Sequence, residues 1–434
     1  MRGQISLFRK ELMEVADRVE NNHFHVKRST FLGGVDARVH RWFRLTPSFG
    51  PDLVRQILAE MDTPPSAVVL DPFAGAGTTL IEAKLAGHTA IGFEINPVLQ
   101  FVCQQTLKWD HDVALLWSEL DQIQGRYHRR KLSSKGKCPD DLGLTPPPIH
   151  NVSRWWRPDV LVDLLVLLEA IRSPSGNPEV APFFELALAG VLVPHLTNVT
   201  LGRLQLHFVD RADEEIEVLE TFDLHARNMI DDLGLLQKSP QRGTSKVFLT
   251  DAASPKLDSD LPPVARVVTS PPYPNRYSYV WNTRPHLYLL GFVTTGKEAA
   301  LLDMRTIGGT WGSATSILAK GKVEPAFPVV GRVAGPVVEE IRANDNLMAN
   351  YLMKYFNLLT KQIIEQDRLL AQDAKLAYVV GCSRLRGVYV ETDVLLGRIF
   401  EGLNLGYRVS KLDRFRKRHS DLDLHESIVY ARKT

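Results

Sequence analysis

The most constraining feature of the sequence is a compact unit between residues 67 and 93. Ala67-Val-Val-Leu70 reads as a buried strand, Asp71-Pro-Phe-Ala-Gly75-Ala-Gly77 as a tight loop, residues 78–86 as a helix and Thr89-Ala-Ile-Gly-Phe93 as a second strand. Two apolar strands joined by a helical crossover pair in parallel, so the chain is predicted to be α/β, with a parallel sheet buried beneath helices. Strand patterns at 247–249, 265–268, 376–380, 408–412 and 427–430 bring the predicted sheet to seven strands.

Between residues 105 and 245 the pattern changes. A basic stretch at 126–137 is followed by helical periods at 157–171, 182–194 and 214–236, which predicts a mostly helical insertion between strands two and three. The predicted division is therefore an N-terminal arm at 1–40, a discontinuous sheet domain at 41–105 and 246–434, a helical insertion at 106–245, and a Gly-rich loop insertion at 295–345 around Gly308-Gly-Thr-Trp-Gly312. The arm reads as a short helix followed by irregular chain. A 434-residue chain has room for this at about 150 residues per domain. A helix at 51–61 puts Leu53, Ile57 and Met61 on one face.

Charge excludes little. Lys plus Arg number 52 against 50 Asp plus Glu, a formal +2, so any surface for a polyanion must come from local clustering. Cys103, Cys138 and Cys382 make no Cys-x-x-Cys pair, which argues against a disulfide framework or a zinc ribbon and predicts a metal-free, cytoplasmic protein. No apolar run approaches the roughly 20 residues of a membrane span, and the first residues lack the apolar core of a signal peptide.

The glycine loop ends a strand and opens a helix, where missing Cβ atoms let a ligand approach the backbone and helix N–H groups can face it. It is not a phosphate-gripping P-loop, because no Lys follows Gly77. It is not a dinucleotide loop either, because Leu80 stands where a third glycine belongs. Glu94 closes the second strand, where a carboxylate can accept from both hydroxyls of a ribose, which suits an adenosine-containing cofactor. A tight turn with an unrelated acid downstream is the plainer alternative. The segment Thr269-Ser270-Pro271-Pro272-Tyr273 follows another apolar strand and so falls at the same carboxyl edge of the sheet. Its stiff backbone, hydroxyl and ring could hold a planar base and hydrogen-bond its exocyclic amine; a plain Pro-Pro turn is the alternative.

Together, DPFAGAGTT and TSPPY closely resemble the two signature motifs of the S-adenosylmethionine-dependent DNA amino-methyltransferases, which act on cytosine N4 or adenine N6. The resemblance extends to Thr46-Pro-Ser-Phe49, similar to the family's segment beside the methionine end of the cofactor, and to Asp251, similar to its acid at the cofactor adenine. It implies a Rossmann-like class I methyltransferase sheet. It also implies S-adenosylmethionine held by Thr46, Phe49, Asp71, Phe73, Gly75, Gly77, Thr78, Thr79, Glu94 and Asp251, and catalysis at Ser270, Pro271, Pro272 and Tyr273. The implied reaction is direct in-line methyl transfer to a flipped base in DNA, cytosine N4 preferred over adenine N6. Carbon-5 chemistry, which needs a Cys preceded by Pro, is excluded: the three cysteines follow Val, Lys and Gly.

Arg276, Tyr277, Tyr279, Trp281 and Arg284 interleave cations with aromatics as a nucleic-acid surface would, and a helix with a packed aromatic face would look the same. The basic run Lys411-Leu-Asp-Arg-Phe-Arg-Lys-Arg-His419 offers Arg414, Arg416 and Lys417 for phosphate contact; the alternative is a solvated face. Which segment reads the DNA sequence stays open, the helical insertion and the Gly-rich segment being candidates. Two rival functions remain. One is an RNA base-amine methyltransferase, against which Ser270 weighs because such enzymes usually carry Asp or Asn before Pro-Pro-Tyr. The other is a catalytically silent nucleic-acid-binding module.

Overall fold

The computed structural model describes residues 15–21, 34–132, 136–202, 205–238, 242–257, 260–309, 313–416 and 424–434. Its centre is an eight-stranded sheet. In chain order its members are β1 (Val19–Asn21), β2 (Val68–Asp71), β3 (Thr89–Glu94), β6 (Ser245–Leu249), β7 (Val264–Thr269), β8 (Leu370–Gly381), β11 (Tyr407–Arg416) and β12 (His425–Lys433). They lie side by side as β1-β11-β12-β8-β7-β2-β3-β6. All neighbours pair in parallel except β12, which is antiparallel to both β8 and β11. The seven strands read from the sequence are all present. The eighth, β1, comes from the arm that was expected to be irregular: Val19 pairs with Leu412 and covers the edge of β11 that would otherwise be unpaired. Residues 1–14 and 22–33 of that arm lie outside the described residues.

Alternation along the strands splits the apolar core in two. Val268, Ala377, Val379 and Ile428 face one layer, whereas Val267, Leu376, Val380 and Val429 face the other. Both faces are buried, as a parallel sheet requires, and each fully buried Val or Leu contributes about 1.5–3 kcal/mol. On the first face lie α1 (Pro51–Glu60), α2 (Thr78–Leu85) and α3 (Pro97–Thr106), of which α1 and α3 start on a proline that suits the first turn.

The insertion joins the same layer. It contains α4 (Val113–Leu132), α5 (Pro158–Ile171), α6 (Ala181–His195), α7 (Val218–Leu236) and a small hairpin of β4 (Val199–Leu201) and β5 (Leu206–Phe208). α5 and α6 are apolar on nearly every side because neighbours surround them. No helix among the described residues is long and apolar enough to cross a membrane.

The second face is covered by α9 (Asn346–Asp367) and α10 (Thr392–Gly402), and the chain between β8 and α10 forms the small antiparallel hairpin of β9 (Ser383–Leu385) and β10 (Val388–Val390). Residues 295–345 are not the Gly-rich loop expected. Their described residues form α8 (Gly296–Arg305) and short helices at Ser313–Leu318, Pro328–Val333 and Gly335–Arg342. Val329, Val330, Val333, Val338 and Ile341 recur at helical spacing and are buried, while Gly308 and Gly321 take left-handed conformations between helices.

Candidate active site

The chain runs outward from β2 through β3 to β6, then returns to β7 and β8 on the other side of β2. The switch between β2 and β7 opens a crevice at the carboxyl edge, and the loops after β2, β3, β6 and β7 all converge there. The space within the cleft, counting its solvent-open mouth, amounts to about 870 Å³.

Hydrogen bonds fix the glycine loop before any ligand arrives. Asp71 is buried; its Oδ1 accepts from the backbone N–H of Phe73 at 2.9 Å and from the Thr269 hydroxyl at 2.6 Å, joining the turns after β2 and β7. Burial, partly offset by these bonds, pushes its carboxyl up to about 6. Gly75 and Gly77 have φ of +53° and +95°, and a Cβ at Gly77 would come within 2.7 Å of Cys103 Sγ.

Glu94 sits at the bottom of the cleft. Its two oxygens accept from the N–H groups of Gly75 (2.9 Å) and Asn96 (2.8 Å), and burial raises its carboxyl to about 7. Each oxygen keeps acceptor capacity. Asn96 caps α3 through the N–H of Val98 and donates to Thr283 at 3.0 Å.

Of the residues expected at a cofactor, Phe49, Phe73, Gly75, Thr78, Glu94 and Asp251 line the cleft. Four do not. Thr46 offers its carbonyl to the Tyr277 hydroxyl, Asp71 and Thr79 are buried behind the loop, and Gly77 packs on Cys103. They shape the wall from behind it. The sequence reading missed Leu45, Phe93, Asn96, Ala252 and the Arg305-Thr306-Ile307 segment, all of which line the cleft. Asn96 had a legible signal, an N-cap residue directly before Pro97. Arg305 approaches Asp251 at 4.0 Å across the opening.

Ser270 and Pro272 line the same cleft, while Pro271 is buried. The Tyr273 hydroxyl is pushed well above the usual phenol range by desolvation and by Glu426, with the nearby Ser270 side chain acting against the shift. The Tyr273 ring rests on Gly381 at the end of β8, where an added Cβ would come within 2.5 Å of it. Tyr279 also lines the cleft, in edge contact with Tyr277 at 4.8 Å.

Two residues expected at nucleic acid are corrected. Tyr277 is buried, its hydroxyl spent on Thr46, so it belongs to the core. Arg414 is not on a solvated basic face: its guanidinium bridges Asp393 (2.5 and 3.0 Å) and Glu391 (3.1 Å), with Asp393 fully buried. Arg276 takes a left-handed conformation and gives its N–H to the Tyr351 hydroxyl at 3.0 Å. Arg284 lies 4.2 Å over the Trp281 ring. The backbone of Arg416 ends β11 at the carboxyl edge, and Lys417 lies outside the described residues.

The donor set suits a nucleoside-bearing ligand. It has a carboxylate pair, Glu94 and Asp251, apolar walls from Phe73, Phe93 and Ala252, and a loop without Cβ at Gly75. A family model described as DNA methylase, of the N6/N4 type, matches residues 20–101, the stretch with the glycine loop and Glu94. The Type II methyltransferase M.AvaI of a Nostoc species is 24% identical over 86% of this chain and 80% of its own. M.BsoBI of Geobacillus stearothermophilus is 21% identical over 94% and 86%, and M.MvaI of Kocuria varians 20% over 86% and 83%. Among solved structures, the rRNA methyltransferase aviRa of Streptomyces viridochromogenes aligns over 92% of both chains at 11% identity with a TM-score of 0.31, too distant to bear on substrate or fold. The glycine loop, the acid at the end of β3 and the Ser-Pro-Pro-Tyr turn thus meet at one sheet edge in a chain that is similar to N4/N6-type DNA methylases over residues 20–101 and to Type II methyltransferases over most of its length.

Proposed function

We propose that the protein binds S-adenosylmethionine in the cleft and methylates an exocyclic amine of a flipped base in DNA, cytosine N4 ahead of adenine N6. The observation that carries this is the meeting of Ser270 with Glu94 and the glycine loop in one cleft. Glu94 would hold the ribose hydroxyls and Asp251 the adenine amine. Phe73 would flank the adenine, and Phe49 and Thr78 would close the methionine end. Bound there, the cofactor supplies an electrophilic methyl on a sulfonium.

The chain's own task is to make the amine nucleophilic, since its lone pair is delocalised into the ring. Hydrogen bonds from the amine to the Ser270 hydroxyl and the Pro271 carbonyl would draw the nitrogen toward tetrahedral geometry, and close placement supplies the rest. Tyr273, beside Ser270, would stack on the incoming base. No cysteine is needed: Cys103 and Cys382 are buried, and Cys138 is outside the cleft. Arg276 and Arg284, together with Arg416 at the end of β11 and Lys417 next to it in sequence, would contact phosphates. The preference for cytosine rests on the resemblance of Ser-Pro-Pro-Tyr to cytosine-N4 members.

Mass spectrometry of nucleosides from DNA incubated with protein and S-adenosylmethionine tests this. N4-methylcytosine is expected, and N6-methyladenine would move the target to adenine. Label only in RNA, or 5-methylcytosine, would overturn the reading. Ser270→Ala should slow single-turnover transfer at least about tenfold while leaving duplex affinity nearly intact.

A further inference from the structure

A second cleft lies where the helical insertion meets the chain after the Ser-Pro-Pro-Tyr turn. The insertion contributes His150, Arg154, Trp155 and Phe208, and the other wall is Trp281 and Arg284. The Arg154 guanidinium lies 3.8 Å over the Phe208 ring and that of Arg284 lies 4.2 Å over Trp281. Trp155 links the two pairs, with its ring 5.1 Å from Phe208 and 6.1 Å from Trp281. The result is a ladder of three aromatic rings with a cation at each end, running across the boundary.

The two cations lack what neighbouring ones have. Arg157 pairs with Asp159 and Arg211 with Glu214, whereas among the described residues neither Arg154 nor Arg284 has a carboxylate within ion-pair distance or a side-chain hydrogen bond, and Asp303 and Tyr288 act on Arg284 only through space. The Nε of Arg284 is buried without an acceptor. A desolvated guanidinium left in that state is costly, and an anion entering the cleft would relieve it. Contact with the aromatic faces restrains both guanidinium groups, so less side-chain entropy is lost on binding. The second cleft is also mechanically continuous with the first. In the single short helix Tyr279–Asn282, Tyr279 and Val280 line the principal cleft and Trp281 lines this one.

We propose that this cleft takes the phosphate backbone of the DNA strand that carries the target base, with Arg154 and Arg284 as the phosphate ligands and Phe208 and Trp281 as the plates that orient them. This makes the insertion part of the DNA-binding surface, and it rests on the DNA methyltransferase reading above.

Titration of a fluorescein-labelled duplex of mixed sequence over a range of salt concentrations tests it. The double variant Arg154→Gln/Arg284→Gln should lower the slope of log affinity against log salt by at least about 0.9, one phosphate's worth of released counterion. Arg154→Gln alone, on an exposed side chain whose loss leaves the core intact, should account for part of that drop. Arg368→Gln, ion-paired to Glu365 just before β8 at the opposite edge of the sheet, should leave the slope unchanged. Calorimetric affinity for S-adenosylmethionine should equal the parent's in all three. A double variant with the parental slope and affinity would overturn the proposal while the methyltransferase reading stands; a parent that binds S-adenosylmethionine but shows no salt-dependent affinity for DNA would remove the reading beneath it.

Discussion

At the scale of single residues, Glu94 is the group whose chemistry is most open to measurement. Burial raises its carboxyl to about 7 from 4.5. Between those values the folded protein holds a proton that the unfolded chain has lost. The stability from that proton is therefore present at low pH and declines as pH rises from about 4.5 through 7. A ribose diol donates hydrogen bonds, so it favours the ionised carboxylate and binding must expel the proton. Affinity for S-adenosylmethionine should therefore rise by up to about tenfold per pH unit below pH ~7 and level off above it. Glu94→Gln should flatten that profile and weaken binding at pH 8 by roughly 1.5–3 kcal/mol. Calorimetry across this range decides the matter, and a parent whose affinity does not depend on pH would take Glu94 away from the ribose.

At the scale of elements, Gly381 shows how one strand end sets the position of the Ser-Pro-Pro-Tyr turn. It terminates β8, and the Tyr273 ring occupies the space its side chain would need. Gly381→Ala should push the ring off its seat at a cost of about 1–3 kcal/mol, the range for overpacking a tight contact. The effect should fall on kcat, with affinity for S-adenosylmethionine retained, because no residue of β8 lines the cleft; equal rates in single-turnover assays would show that Tyr273 tolerates displacement. This dependence was not legible in the sequence, since Gly381 and Tyr273 are joined only by the sheet. What was legible is local: strand, loop, helix and strand between residues 67 and 94, and a Pro-Pro turn that follows an apolar strand. Asp71 was read as a ligand contact because its motif position is conspicuous, but its partner Thr269 comes from a different strand and turns it inward. Tyr277 and Arg414 failed for a related reason. Alternating cations and aromatics look alike on a surface and in a core, and the residues that claim them, Thr46 and Asp393, are distant in sequence or on another element.

At the scale of the whole molecule, the helical insertion does more than fill the first face of the sheet. Asp232 of α7 is almost wholly buried and accepts from Arg41 Nε (2.9 Å) and Nη2 (2.7 Å) and from Trp42 Nε1 (3.0 Å). His225 of the same helix contacts the Trp42 carbonyl at 3.0 Å, and the Trp42 ring packs edge-on to Phe183 of α6. The insertion thereby clamps residues 39–43, and the chain emerging from that clamp supplies Leu45, Pro47, Ser48 and Phe49 to the cleft. Asp232→Ala would leave the indole N–H buried without an acceptor and Arg41 without its carboxylate. Arg41 is partly exposed and can turn to water, so the loss should be about 2–3 kcal/mol rather than the larger figure for a fully buried pair. In urea the midpoint should fall with the m-value unchanged. Because the clamp sets one wall of the cleft, S-adenosylmethionine affinity should drop as well, in native buffer where the variant is fully folded, while Arg41→Ala, which spares the Trp42 contact, should lose less of both. If Asp232→Ala lowers stability but binds S-adenosylmethionine like the parent, the arm holds its position through Tyr277 and the sheet alone, and the insertion serves DNA without shaping the cofactor site.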